Sequence, residues 1–96
     1  MNENHGDEVD RETLRELADA GNEKALDRLA DLADASGDVD ALSGLLDEGS
    51  SRAGFLLTRR AVAARDPREL QRIADAGYEE AEAEVDRLLS GRAGRT

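Results

Sequence analysis

The chain has no cysteine and no tryptophan, a single proline (Pro67), a single lysine (Lys24), a single histidine (His5) and two aromatics, Phe55 and Tyr78. Without cysteine, neither a disulfide framework nor a thiolate metal site can form. The one histidine stands in the polar opening residues, where it reads as a solvated side chain rather than as the base of a nucleophile–base pair. No run approaches the roughly 18 consecutive apolar residues of a membrane span. The first residues, MNENHGDEVD, lack the basic and apolar regions of a signal peptide, so a cytoplasmic protein is expected.

The 96 residues carry a net charge of −10. Phosphate binding needs a basic surface, so nucleic acid is excluded as the main partner. The basic residues are almost all Arg, the usage of a GC-rich, bacterial genome. What remains is rich in Ala, Leu, Glu and Arg and poor in Pro, a helix-forming composition.

The order of these residues repeats with a period of 28. Leu14, Leu42 and Leu70 are equivalent, as are Leu17, Leu45 and Ile73, and Asp19, Asp47 and Asp75. Gly21, Gly49 and Gly77 follow, then Ala25, Ala53 and Ala81, then Leu29, Leu57 and Val85. A period that holds two helices and two turns, kept without insertion, predicts an all-α solenoid of three helix–turn–helix units.

The punctuation supports this. Asp10, Asp38 and Asp66 open each unit as N-caps, and Pro67 suits the first helical position. Gly21, Gly49 and Gly77 stand where a left-handed residue ends a helix. Asn22 and Ser50 cap each second helix, whereas Tyr78 is a poor cap in the third unit. Helices are expected over 10–20, 22–35, 38–48, 50–64, 66–76 and 78–89. A flexible acidic tail is expected over 1–9 and a flexible basic tail over 90–96. Leu14, Leu17 and Ala18 should line the buried side of the first helix, and Ala25, Leu26, Leu29, Leu32 and Ala33 that of the second.

The stretch ADAGNEKA (residues 18–25), followed by Leu29 and Ala30, resembles the Sel-like branch of the tetratricopeptide family. ADAGYEEA (74–81) and LDEGSSRA (46–53) echo it. The units are shorter than the roughly 34 to 40 residues usual in such families. The resemblance implies a right-handed stack with the first helices on its concave side, and a protein–protein adaptor role.

Catalytic and metal-binding patterns are missing. Asp34, Asp38 and Asp40 lack the spacing of a calcium loop, and Glu79, Glu80, Glu82, Glu84 and Asp86 are spread around a helix as a solvated face. Ser50, Ser51 and Thr58 are the candidate nucleophiles, with the one histidine, His5, in the expected tail and no cysteine. No enzyme activity, cofactor or metal is expected, and the partner is another protein or a peptide.

The middle unit departs from the others. Residues 14–41 carry eight acidic and three basic side chains, whereas residues 42–69 carry four acidic and five basic. Arg52, Arg59, Arg60 and Arg65 form a basic band. Phe55 and Val62 fall in the register of Asp27 and Asp34, on the side that should face solvent. Either Phe55, Val62, Arg52 and Arg59 form a contact surface for a partner or a second copy, or a rotated helix, eased by Gly54, buries Phe55 against its neighbour.

A second candidate surface lies on the first helices, at Ser43, Gly44, Asp47, Gln71 and Arg72. Gly44 costs about 1 kcal/mol against Ala in a helix interior, so close approach of a neighbouring helix or a bound peptide is expected there. Asp19, Asp47 and Asp75 read as structural, with Arg15 and Asp19 an i, i+4 pair. Two other functions fit the composition: a small acidic inhibitory or immunity-type protein that blocks a basic target, and a structural domain that self-associates through its last helix, where Val85, Leu88 and Leu89 have no following unit.

Overall fold

The structure, a computed structural model, describes the backbone of residues 10–94 and the side chains of residues 10–90; the expected tail at 1–9 lies outside the described residues. Six helices and no strands are found among them. They are α1 (Arg11–Asp19), α2 (Glu23–Ala35), α3 (Val39–Asp47), α4 (Ser51–Ala63), α5 (Pro67–Asp75) and α6 (Glu80–Gly94). The last helix runs on to Gly94, past the end expected at residue 89. None of the described helices is long and apolar enough to cross a membrane.

Each connection is closed by the same local chemistry. At the end of α1 the Asn22 N–H donates to the Leu17 carbonyl (2.9 Å) and the Gly21 N–H to the Ala18 carbonyl (3.0 Å), with Gly21 at φ +100°. This pair of bonds satisfies carbonyls that the helix leaves unpaired. Residue Asn22 then turns round and caps α2, its side chain accepting from the Ala25 N–H at 3.0 Å. Asp38, Ser50 and Asp66 combine the two jobs in the same way. So short a link holds consecutive helices close together.

Two positions depart from that scheme. Arg65, not glycine, adopts the left-handed conformation (φ +52°) after α4, where Gly37 (φ +74°) stands after α2. Tyr78 has no side-chain acceptor for a cap, and α6 begins at Glu80. Its first bonds are short-range: Ala81 N–H to the Tyr78 carbonyl (3.1 Å) and Glu82 N–H to the Glu79 carbonyl (2.9 Å). Such i→i−3 bonds mark a tightened opening turn.

The helices form two layers. α2, α4 and α6 pack successively on one another, with α1 against α2, α3 against α2 and α4, and α5 against α4 and α6. The helices α1, α3 and α5 make no direct backbone contact among themselves. The body measures 59 × 27 × 17 Å. Its core joins Leu42, Leu57, Leu70 and Ile73 to Ala53 and Ala81, small residues that allow close helix approach.

The ends differ from the middle. Leu17 was expected on a buried face, and its equivalents Leu45 and Ile73 are buried, yet Leu17 is 42% exposed. The helix that carries it touches only α2. Leu89, in register with buried Ala33 and Ala61, is 47% exposed at the other end, where no described helix packs beyond α6.

Candidate interaction surfaces

Because α1, α3 and α5 stand apart, furrows run between them over the second-helix layer. The furrow between α1 and α3 is a groove of about 310 Å³, floored by Leu29 and Ala33 of α2 and flanked by Arg11, Arg15, Gly44 and Glu48. No atom outside the local helix backbone comes within 4 Å of a Cβ built on Gly44. The expected close approach of a neighbouring helix is therefore absent, and Gly44 faces open space.

The furrow between α3 and α5 is different. There Arg72 occupies the position equivalent to Gly44. Its guanidinium donates to Glu69 (2.6 and 3.0 Å) and to the Ser43 hydroxyl (3.0 Å). The hydrogen bonds to Glu69 foremost, and the charge of Asp47 to a lesser degree, raise the Arg72 pKa above its ordinary value. The Ser43 surface is thus spanned by an arginine. Gln71 points along its own helix to Asp75 (3.1 Å). Asp19 likewise takes Arg15 (2.9 Å), so these aspartates are met by side chains of their own helices. Arg15 also bridges to Glu48, and hydrogen bonds to Glu48 and Asp19 raise its pKa.

On the second-helix layer, the seam between α2 and α4 is closed by polar links. Ser50 Oγ donates to Asp27 at 2.9 Å, Arg52 Nε to Asp31 at 2.7 Å and Arg60 Nε to Asp34 at 2.9 Å. Ser50 is 1% exposed. The basic band is thereby reduced: two of its four arginines neutralise the acidic face of the preceding unit. The Asp31 carboxylate also raises the Arg52 pKa.

The seam between α4 and α6 has other residues in the same register. Phe55 and Tyr78 replace Asp27 and Ser50, Arg59 and Glu80 replace Asp31 and Arg52, and Val62 and Leu88 replace Asp34 and Arg60. None of these register pairs forms an ion pair or hydrogen bond. A cleft of about 460 Å³ opens instead, lined by Phe55, Thr58, Arg59, Val62, Tyr78, Glu80 and Glu84 among others. Phe55 and Val62 remain 41% and 38% exposed, so the alternative in which a rotated helix buries Phe55 is not realised. Gly54 does permit close packing, against Tyr78 rather than Phe55.

The structure therefore brings Arg52, Phe55, Arg59 and Val62 together. The Arg52 and Arg59 guanidinium carbons lie 5.5 and 5.9 Å from the Phe55 ring centroid, within cation–π range. Among the described residues Arg59 makes no ion pair. Tyr78, Glu80 and Glu84 complete this surface and were missed by sequence reasoning, although comparing positions across the 28-residue register would have flagged the change from Ser50 to Tyr78. Of the second candidate surface, Ser43, Asp47 and Arg72 come together across the furrow between α3 and α5, Gln71 turns along its own helix to Asp75, and Gly44 lines the groove toward α1.

Two of the three candidate hydroxyls, Thr58 and Ser50, are engaged in structure. Thr58 Oγ1 is buried and donates to the Gly54 carbonyl (2.7 Å), and Ser50 serves as both cap and seam link. No His, Cys, Asp or Glu group able to hold a metal occurs among the described residues. Compared with protein-family models, curated proteins and solved structures, the chain matches none.

Proposed function

We propose that the chain is a non-catalytic protein–protein interaction module, built as an α-solenoid of three 28-residue units of the Sel-like, tetratricopeptide-like kind and acting in the bacterial cytoplasm. One observation carries the reading. The groove between α1 and α3, bridged at its rim by Arg15 and Glu48, lies open where Gly44 stands, while at the equivalent position Arg72 reaches across the next furrow to Ser43. A helix interior that keeps glycine with nothing near it forgoes about 1 kcal/mol of helix stability. A partner segment lying over Leu29 and Ala33 accounts for that. Apolar floors with a few polar groups at the rim are the usual make-up of binding grooves.

The acidic-blocker alternative has less support, because Asp31 and Asp34 of the acidic face are already matched by Arg52 and Arg60. Gly44→Arg tests the groove by placing a long charged side chain at the open position, in the register of Arg72. Affinity capture from the source lysate with the native chain and this variant, at low and high salt, is the measurement. The variant is expected to fold and to lose the captured protein. Equal capture by a folded variant would overturn the groove reading, and capture abolished by salt alone would favour an acidic blocker.

A further inference from the structure

The seam between α4 and α6 points to a second role, independent of the groove at Gly44. Three register pairs that are polar and joined between α2 and α4 become Phe55/Tyr78, Arg59/Glu80 and Val62/Leu88, and a cleft lined by all of these but Leu88 stays open. Phe55 and Val62 are large apolar side chains left exposed beside it. An apolar seam that served folding alone would have closed over these groups, since each buried methylene contributes about 0.8 kcal/mol.

The lips of the cleft say what covers it. The α4 lip presents Arg59, with Arg52 beyond Phe55, and the α6 lip presents Glu80 and Glu84. A basic partner would meet Arg59, and an acidic one would meet the two glutamates. A surface with its own two opposed lips suits both. We infer that this chain forms a twofold dimer through the cleft, with Phe55 and Val62 at the centre and Arg59 of each copy against Glu80 of the other. A twofold axis along the cleft exchanges the α4 and α6 lips, as an isologous interface requires. Elsewhere the copies repel, because each carries a net charge of −10. The opposite charges on the lips therefore set orientation as well as attraction.

The test is sedimentation of the full chain over a range of concentrations, with circular dichroism confirming that each variant is folded. The native chain should pass from 10.3 kDa to twice that mass. Phe55→Glu should hold it at the monomer mass. Arg59→Glu alone and Glu80→Arg alone each set like charges against each other and should weaken dimerisation by roughly tenfold or more. An equimolar mixture of those two single variants pairs opposite charges at both lips, and so does the double variant; both should recover the dimer. A native chain that stays monomeric at millimolar concentration would overturn the proposal. So would single variants that dimerise like the native chain, or a mixture that stays monomeric.

Discussion

The ring of Tyr78 lies directly against the bare backbone of Gly54. A Cβ built on Gly54 would fall 2.5 Å from Tyr78 Cγ and Cδ1 and 2.9 Å from its Cβ. One unit earlier the equivalent positions are Leu26 and Ser50, a large residue with a small one. The seam keeps its fit by exchanging which helix supplies the bulk. Tyr78, with no side-chain acceptor to cap α6, fills the space over Gly54 instead.

Opposite effects at the two interior glycines follow. Gly54→Ala pushes a methyl group into atoms at the root of the Tyr78 side chain, which cannot swing away. Overpacking of this kind costs about 1–3 kcal/mol. Gly44→Ala meets open space and should gain up to about 1 kcal/mol from helix propensity alone. Urea unfolding of the two variants measures both signs. Adding Tyr78→Ala to Gly54→Ala should recover part of the loss; a gain at both glycines would contradict the close approach.

The left-handed residue after α4 offers a second comparison. A side chain there costs roughly 1 kcal/mol, while glycine adds conformational freedom to the unfolded chain. Arg65→Gly should therefore raise stability by about 0.5 kcal/mol. Gly37→Ala, at φ +74° with no crowding atom, should lower it by about 1 kcal/mol through backbone strain alone. In a domain of this size that loss corresponds to roughly 4–8 °C in Tm. Thermal melts that move the same way for both variants would rule out backbone strain as the cause.

The N-caps should not be equal. Asn22 caps α2 in a part-buried position, and Asn22→Ala should cost about 1 kcal/mol. Ser50 caps α4 while donating to Asp27, in almost complete burial. Ser50→Ala leaves the Ala53 N–H buried without its partner and removes a bond to a charged group, so about 2 kcal/mol is expected. Denaturant midpoints of the two variants give the comparison directly. Equal losses would mean that the Asp27 link adds nothing.

What could be read in the sequence was what is local. Caps at Asn22, Asp38, Ser50 and Asp66 and left-handed glycines at 21, 49 and 77 involve neighbours a few residues away, and the structure has them in place. The exposure of Leu17 and the openness at Gly44 depend on what lies across a furrow, which periodicity does not reveal. Arg52 and Arg60 looked like a basic surface because their partners, Asp31 and Asp34, are in the preceding unit. Tyr78 was read as a defective cap because its partner, Gly54, is 24 residues away.

The same environment should be visible in the titration of Tyr78, the only tyrosine in the chain. Burial disfavours its charged phenolate, and the nearby Glu80 carboxylate adds to this, so its pKa is raised above the ordinary 10.0. Raised in the folded state, the group stabilises the fold fully below its unfolded pKa, and that contribution is lost as pH rises through the folded pKa. The fold should therefore weaken above pH 10, and Tyr78→Phe should remove that part of the alkaline loss. A single tyrosine makes the absorbance change at about 295 nm, the phenolate band, unambiguous. The folded chain should titrate above free tyrosine, and the urea-unfolded chain near pH 10. Glu80→Gln should bring the folded midpoint part of the way down, because burial is the larger cause and the carboxylate the smaller. A folded midpoint equal to the unfolded one would mean that the phenol is as well hydrated in the fold as in the open chain.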